Sequence, residues 1–176
     1  MRTLDASRLY WEMGFYARAK DLLSAEMSRD TAFFVGHLWN FHYHFQTGDT
    51  TAARRSLRAL DRIGAANSLV GNFHALMDLR KAVRKTADPR RRSVQRLRMA
   101  GIYRDIELYD ESFDQAHAAA ADDTSSLEAK LFIAGLYERL GYARRALALY
   151  EAYLALAPAD SAVRSRADSL AALTGG

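Results

Sequence analysis

Two stretches at opposite ends of this chain obey one spacing rule. Tyr10, Gly14, Phe15 and Ala19 stand in the same register as Tyr137, Gly141, Tyr142 and Ala146. Each member has a physical job. The tyrosine packs the end of a first helix, and the glycine takes the left-handed conformation that stops it. The aromatic after it fills the turn, and the small alanine lets a second helix pack closely against the first. A weaker copy surrounds Gly48 and Ala53, 34 residues beyond Gly14 and Ala19. Periods of this size predict helical hairpins that stack, because one hairpin alone cannot cover its own apolar flank.

The rest of the chain agrees with helices throughout. At 176 residues it can form one substantial core or a short array of stacked helices. Ala, Leu, Arg and Glu dominate, and no segment sustains the two-residue alternation of a strand. Start and stop signals give about nine helices. Asp30 precedes an aromatic helix, Asp49 and Thr50 follow Gly48, and Asn67 precedes Leu69, Val70 and Phe73. Asp88 followed by Pro89 reads as an N-cap with proline in the first helical position. Ser125 and Glu128 have the spacing of a capping box. Asp160 starts a final helix with Val163, Ala167, Leu170 and Leu173 on one face, and Arg164, Arg166 and Asp168 on the other, as suits a solvated end cap.

On these residues the segment Leu127 to Asp160 resembles a tetratricopeptide (TPR) repeat over a full repeat length. Tyr137, Gly141, Ala146, Tyr150 and Pro158 stand at the family's spacing, with Ala134 and Ile133 in its first helix, while Lys130 departs from the expected aromatic. Leu38, Phe41, Phe45 and Gly48 resemble a second repeat with one residue missing from the turn, and residues 3–29 one that lacks part of its first helix. Between about 64 and 122 the match is poor: Phe113 and Ala116 fit a second helix, yet no glycine stops the first. The resemblance implies an all-α fold, a right-handed stack of antiparallel helix hairpins (a TPR-like α-solenoid) with a C-terminal capping helix. It implies one domain over 1–176, with repeats at about 1–29, 31–64 and 127–160, an irregular part at 67–122, and the cap at 161–173. It also implies a non-catalytic protein-interaction module, an adaptor or accessory scaffold subunit of a larger complex.

The residues point away from catalysis and bound cofactors. With no cysteine, thiolate metal sites and cysteine nucleophiles are excluded. There is no Gly-rich phosphate loop, no G-x-S-x-G elbow and no H-E-x-x-H helix. His37, His42 and His44 lie on one expected helix, but the first and last are about 10 Å apart along its axis, and His42 and His44 diverge around it. Asp114 and His117 have ligand spacing without the second such pair that a di-iron bundle needs. No metal, no cofactor and no enzyme activity are expected. The aromatic helix from Ala32 to Gln46 carries Phe33, Phe34, Trp39, Phe41, Tyr43 and Phe45. Phe34, Leu38, Phe41 and Phe45 recur at core spacing. Trp39, Tyr43 and His42 are the candidate anchors in a concave groove, although a helix covered on both sides is also apolar all round.

Charge is sorted along the chain. From Arg80 to Arg98 there are nine basic residues against Asp88, and from Asp105 to Glu128 there are eight acids without a Lys or Arg, beneath a net charge of +4. Arg90, Arg91 and Arg92 sit at an expected helix N-terminus, where the macrodipole disfavours cations. Arg84, Arg90, Arg91, Arg92 and Arg96 are therefore candidates for electrostatic docking, with a solvated face or an answering acidic hairpin as the plain alternative. The partner expected is another protein or a multi-subunit complex, which can be membrane-associated. Nucleic acid or an anionic membrane surface, bound through residues 80–98, is the alternative, and nucleic acid is disfavoured because no aromatic interleaves the basic run. Asp5, Arg8 and Glu12 stand where a signal peptide needs apolar residues, and no run of about 18 apolar residues occurs. A cytoplasmic location is expected, with a peripheral place on a membrane complex allowed.

Overall fold

The computed structural model describes residues 3–30, 34–64 and 68–174; the side chains of Thr3, Leu4 and Glu12 are not described. Phe33 and the capping role of Asn67 lie outside the described residues. Ten helices occur among those described: α1 Thr3–Glu12, α2 Tyr16–Arg29, α3 Phe34–Gln46, α4 Thr50–Gly64, α5 Ser68–Lys85, α6 Pro89–Asp105, α7 Tyr109–Asp122, α8 Leu127–Arg139, α9 Ala143–Leu154 and α10 Ser161–Thr174. They divide into two compact units, Met1–Met77 and Asp78–Gly176. In the first, α1 to α4 pack each on the next, and in the second α6 to α10 do the same.

In the first unit, α1 ends where Gly14 turns left-handed at φ 79°. The Gly14 N–H donates to the Trp11 carbonyl at 2.9 Å, and the Phe15 N–H to the Tyr10 carbonyl at 2.8 Å. Those two bonds satisfy carbonyls that the helix end would otherwise leave unmade. The Phe15 ring meets Tyr10 edge-on at 6.4 Å, and the Arg18 guanidinium lies 5.7 Å from the Tyr10 centroid. Ala19 is fully buried, and the Ser7 hydroxyl donates to its carbonyl at 3.0 Å. Such a bond requires the two helix backbones to approach closely, which only small residues allow. The α3–α4 turn repeats the stop at Gly48, φ 82°, and Asp49 caps α4 by accepting from the Ala52 N–H at 3.0 Å. Phe41 stacks on Phe45 and on Phe73 of α5, with ring centroids 5.5 and 4.4 Å apart. All three rings are buried, as are Leu23, Leu57 and Leu60 of the same unit.

The second unit contains the same device twice. At α8–α9, Gly141 has φ 79°, Tyr142 meets Tyr137 edge-on at 6.1 Å, and Arg145 lies 5.6 Å from the Tyr137 centroid. Ala134 and Ala146 are fully buried where the two helices meet. At α6–α7 the stop is Glu107, left-handed at φ 63°. Its N–H donates to the Arg104 carbonyl at 3.1 Å, and the Leu108 N–H to the Tyr103 carbonyl at 2.9 Å, the pattern found at Gly14 and Gly141. Tyr103, Glu107, Leu108 and Ser112 thus occupy the spacing of Tyr137, Gly141, Tyr142 and Ala146. Ser112 is fully buried and donates to the Ala100 carbonyl at 2.8 Å, the mirror of the Ser7–Ala19 bond. The later part of the stretch that matched poorly in sequence, α6 and α7, is a hairpin of the same design. Helix α10 then buries Val163, Ala167 and Leu170 against Ala146 and Tyr150.

The capping box expected at Ser125 forms one residue later. Asp123 accepts from both the N–H and the hydroxyl of Ser125, which takes that side chain out of use. Ser126, extended at φ −65°, ψ 106°, accepts instead from the Ala129 N–H. Asp88 and Asp160 cap as expected, accepting from Arg90 and Val163.

A left-handed residue with a side chain costs about 1–2 kcal/mol relative to glycine. Glu107→Gly is therefore expected to stabilise the second unit by about 1 kcal/mol, and Gly141→Ala to destabilise it by about 1–2 kcal/mol. Urea unfolding of the two variants checks this, and equal midpoints would contradict the shared turn geometry.

Candidate functional site

Trp39, His42 and Tyr43 project from α3 toward α1, where Trp11 lies against all three. Its ring centroid is 5.3 Å from Trp39, 5.0 Å from His42 and 6.2 Å from Tyr43, and Tyr16 closes the far side at 4.8 Å. The Lys20 ammonium sits 5.2 Å from the Tyr43 centroid. His42 keeps 4% of its surface, while Trp39 and Tyr43 are half-buried. Of the three groove candidates, two retain a surface and the third is a packing residue beneath them. His44 approaches Asp49 at 3.6 Å, and burial, followed by Lys20, holds its imidazole below the ordinary value. No group of three metal-ligating side chains converges among the described residues.

The basic segment separates into two kinds of arginine. Arg84, Arg90 and Arg91 are exposed around the turn from α5 to α6, with Arg91 3.5 Å from Asp88. Arg92 and Arg96, one turn apart on α6, converge on Asp122 at the end of α7. Arg92 Nε donates to one carboxylate oxygen and Arg96 Nε to the other, each at 2.7 Å. A second Arg92 nitrogen reaches the Thr86 carbonyl at 3.4 Å. This clamp fastens the open end of the hairpin and fixes the turn that precedes it. The cation at position 92, set against the helix dipole, is compensated within the fold. The Arg92 hydrogen bond, then that of Arg96, holds the Asp122 carboxyl below the ordinary aspartate value.

A third feature was not singled out in the sequence. In the second unit, α6, α8 and α10 border an open cleft of about 610 Å³. Leu131, Phe132, Gly135 and Leu136 of α8 supply its apolar floor, and Arg104, Glu138 and Arg166 its charged rim. Arg104 lies over the Phe132 ring at 5.4 Å from the centroid. Beneath the floor, the fully buried Tyr150 donates its hydroxyl to Glu138. Burial first, and then that carboxylate, push the phenol up to about 12, with the Arg166 guanidinium acting in the opposite direction. Glu138 and Tyr150 thus link α8 and α9. A Cβ on Gly135 would meet the Tyr150 oxygen at 3.8 Å, an ordinary contact, so the backbone does not demand glycine there. A glycine inside a helix of strong formers was the available sequence signal: it keeps the cleft deep at a cost in helix propensity.

Four turns with one hydrogen-bond pattern or one left-handed stop, each followed by a buried small residue, decide the architecture. The fold is tetratricopeptide-like. No family model and no curated protein matches the chain. Among solved structures it is similar to a thermophilic TPR protein of Thermus thermophilus, at 18% identity over 96% of each chain, with a TM-score of 0.46. It is also similar to a chain of the APC/C hetero-tetramer Cut9–Hcn1, at 15% identity over 96% of this chain and 35% of that one, also with a TM-score of 0.46. No helix among the described residues of this TPR-like chain is long and apolar enough to cross a membrane.

The Asp122 clamp gives a pH dependence of known sign. A carboxyl whose folded value is lowered stabilises fully above its unfolded value, near 3.8, and loses that contribution as pH falls through the lowered folded value. Asp122→Asn is expected to lower the urea midpoint at neutral pH and to flatten its decline below about pH 4. An unchanged acid limb would show that the two arginines do not stabilise the carboxylate.

Proposed function

We propose that the chain is a non-catalytic protein-interaction module, an adaptor or accessory subunit, that holds a segment of a partner protein in the cleft floored by α8. The observation that carries this reading is the cleft's construction. An apolar strip made by Phe132 and its neighbours, deepened at Gly135, lies between fixed charges of both signs. A partner segment with an apolar side chain for the strip and polar groups for Arg166 and Glu138 fits such a surface. Affinity there comes from the desolvated floor, while rim charges set register and encounter rate.

The remaining candidates take secondary roles in this reading. Trp39 and Tyr43 offer half-exposed rings on the first unit, held in place by Trp11 and underlain by His42. Arg84, Arg90 and Arg91 steer an acidic partner, and Arg92 and Arg96 act by fixing the turn that presents them.

Affinity capture from the native source, with wild type and three variants as bait, tests the proposal. Gly135→Ala is expected to keep partner recovery within about twofold, and Gly135→Leu, which fills the floor, to reduce it about tenfold. Trp39→Ala reduces it less. Recovery unchanged by Gly135→Leu would remove the cleft from the binding surface.

A further inference from the structure

Charge on the second unit is sorted to the two ends of one hairpin. Where α5 runs into α6, Lys81, Arg84, Lys85, Arg90 and Arg91 are exposed. The acids beside them are partly taken up: Asp88 caps α6 and approaches Arg91, Asp122 is held by Arg92 and Arg96, and Asp123, which faces Arg90, also accepts from Ser125. At the other end, the turn into α7 and the first turns of that helix expose Glu107, Asp110 and Asp114. Of the nearby cations, Arg104 donates twice to Asp105, while Arg139 donates to the Tyr109 hydroxyl and also faces Glu107 and Asp105, so the acidic surface centres on Asp110 and Asp114. Helix α6 has 17 residues, so the two ends lie about 25 Å apart. That exceeds the screening length of about 8 Å at physiological salt, and neither end can neutralise the other within one molecule.

Both ends also hold charge against local preference. Arg90 and Arg91 sit in the first turn of α6, where the helix dipole favours anions. Glu107 stands left-handed where the sister hairpins have glycine. Exposed positions like these have no packing to satisfy, so charges retained there at a cost suit a contact surface.

We propose that the basic end of this hairpin docks on the acidic end of a second copy of the same chain, in a head-to-tail contact. The complement of each patch, in sign and in rigid mounting on the same helix pair, is present on the molecule itself. Residues 80–98 carry no aromatic side chain to stack on bases, and Val94 is the exposed large apolar residue of that segment, too little to enter a lipid surface. The two patches differ, so the contact is heterologous and propagates into a ring or an open chain. Its main charges, Arg90 and Arg91 on one end and Asp110 and Asp114 on the other, lie outside the cleft lining, so Gly135→Leu is expected to leave it intact.

Sedimentation of the full chain at about 0.05 M and about 0.5 M salt reads the association, because screening shortens several-fold over that range. The expected result is a mass above the monomer at low salt and an association at least about tenfold weaker at high salt. A variant with Arg90→Glu and Arg91→Glu, and another with Asp110→Lys and Asp114→Lys, are each expected to be monomeric with unchanged helical circular dichroism. Mixed together they regain a larger species, because the intact acidic end of the first variant meets the intact basic end of the second. A wild type that stays monomeric at low salt would overturn the proposal, as would association that survives in either variant alone. Salt-sensitive binding of a monomeric wild type to RNA or anionic vesicles would assign the basic end to that partner instead.

Discussion

Everything in this protein depends on how closely two helix backbones can approach across a left-handed stop. Ala19, Ala53, Ser112 and Ala146 are each fully buried, five residues after the residue that breaks the preceding helix. A larger side chain there would push the second helix away and open voids around the neighbouring rings. The Ser7–Ala19 and Ser112–Ala100 bonds are direct readings of that closeness, since a serine hydroxyl reaches the opposite carbonyl at 3.0 and 2.8 Å. The stop and the small residue work together. One reverses the chain within a few residues, and the other lets the reversed helix settle.

Once the hairpins are set, polar links decide what remains on the surface. The Asp122 clamp takes up two arginines of the basic run, and the Glu138–Tyr150 bond ties the cleft's rim to α9. The surfaces available to a partner are what these internal pairings leave over. On the basic side they are Arg84, Arg90 and Arg91, and in the cleft they are the faces of Phe132 and Leu131 beside an uncovered Gly135. This is why the composition of a charged segment says less than the pairing of each member.

The repeats at the two ends were legible because their stops are glycines and their turn aromatics are conspicuous, as at Gly14 with Phe15 and Gly141 with Tyr142. The α6–α7 hairpin was not, because Glu107 does a glycine's work and Ser112 an alanine's, and neither residue type announces that role. The cap at Ser126 was misplaced by one position for a local reason: Asp123 competes for Ser125, and two adjacent serines look alike in sequence. The site was less legible than the fold. Trp39 and Tyr43 could be placed on one face from helical periodicity, but the ring that covers them, Trp11, comes from another helix. The partition of the basic run was likewise invisible, since Asp122 lies 30 residues from Arg92. Long-range pairing of this kind is a property of the packed hairpin, beyond the reach of local spacing.

The central claim, that tiny side chains hold each hairpin closed, is tested most directly by enlarging them one at a time. Ala19→Leu, Ala53→Leu and Ala146→Leu overpack the contact, and each is expected to lower stability by about 1–3 kcal/mol in urea unfolding. The same change at the exposed Ala17, Ala148 and Ala152 on the neighbouring faces is expected to stay within about 0.5 kcal/mol. Equal effects at buried and exposed alanines would contradict the account, because the helices would then have room to spare where the structure gives them none.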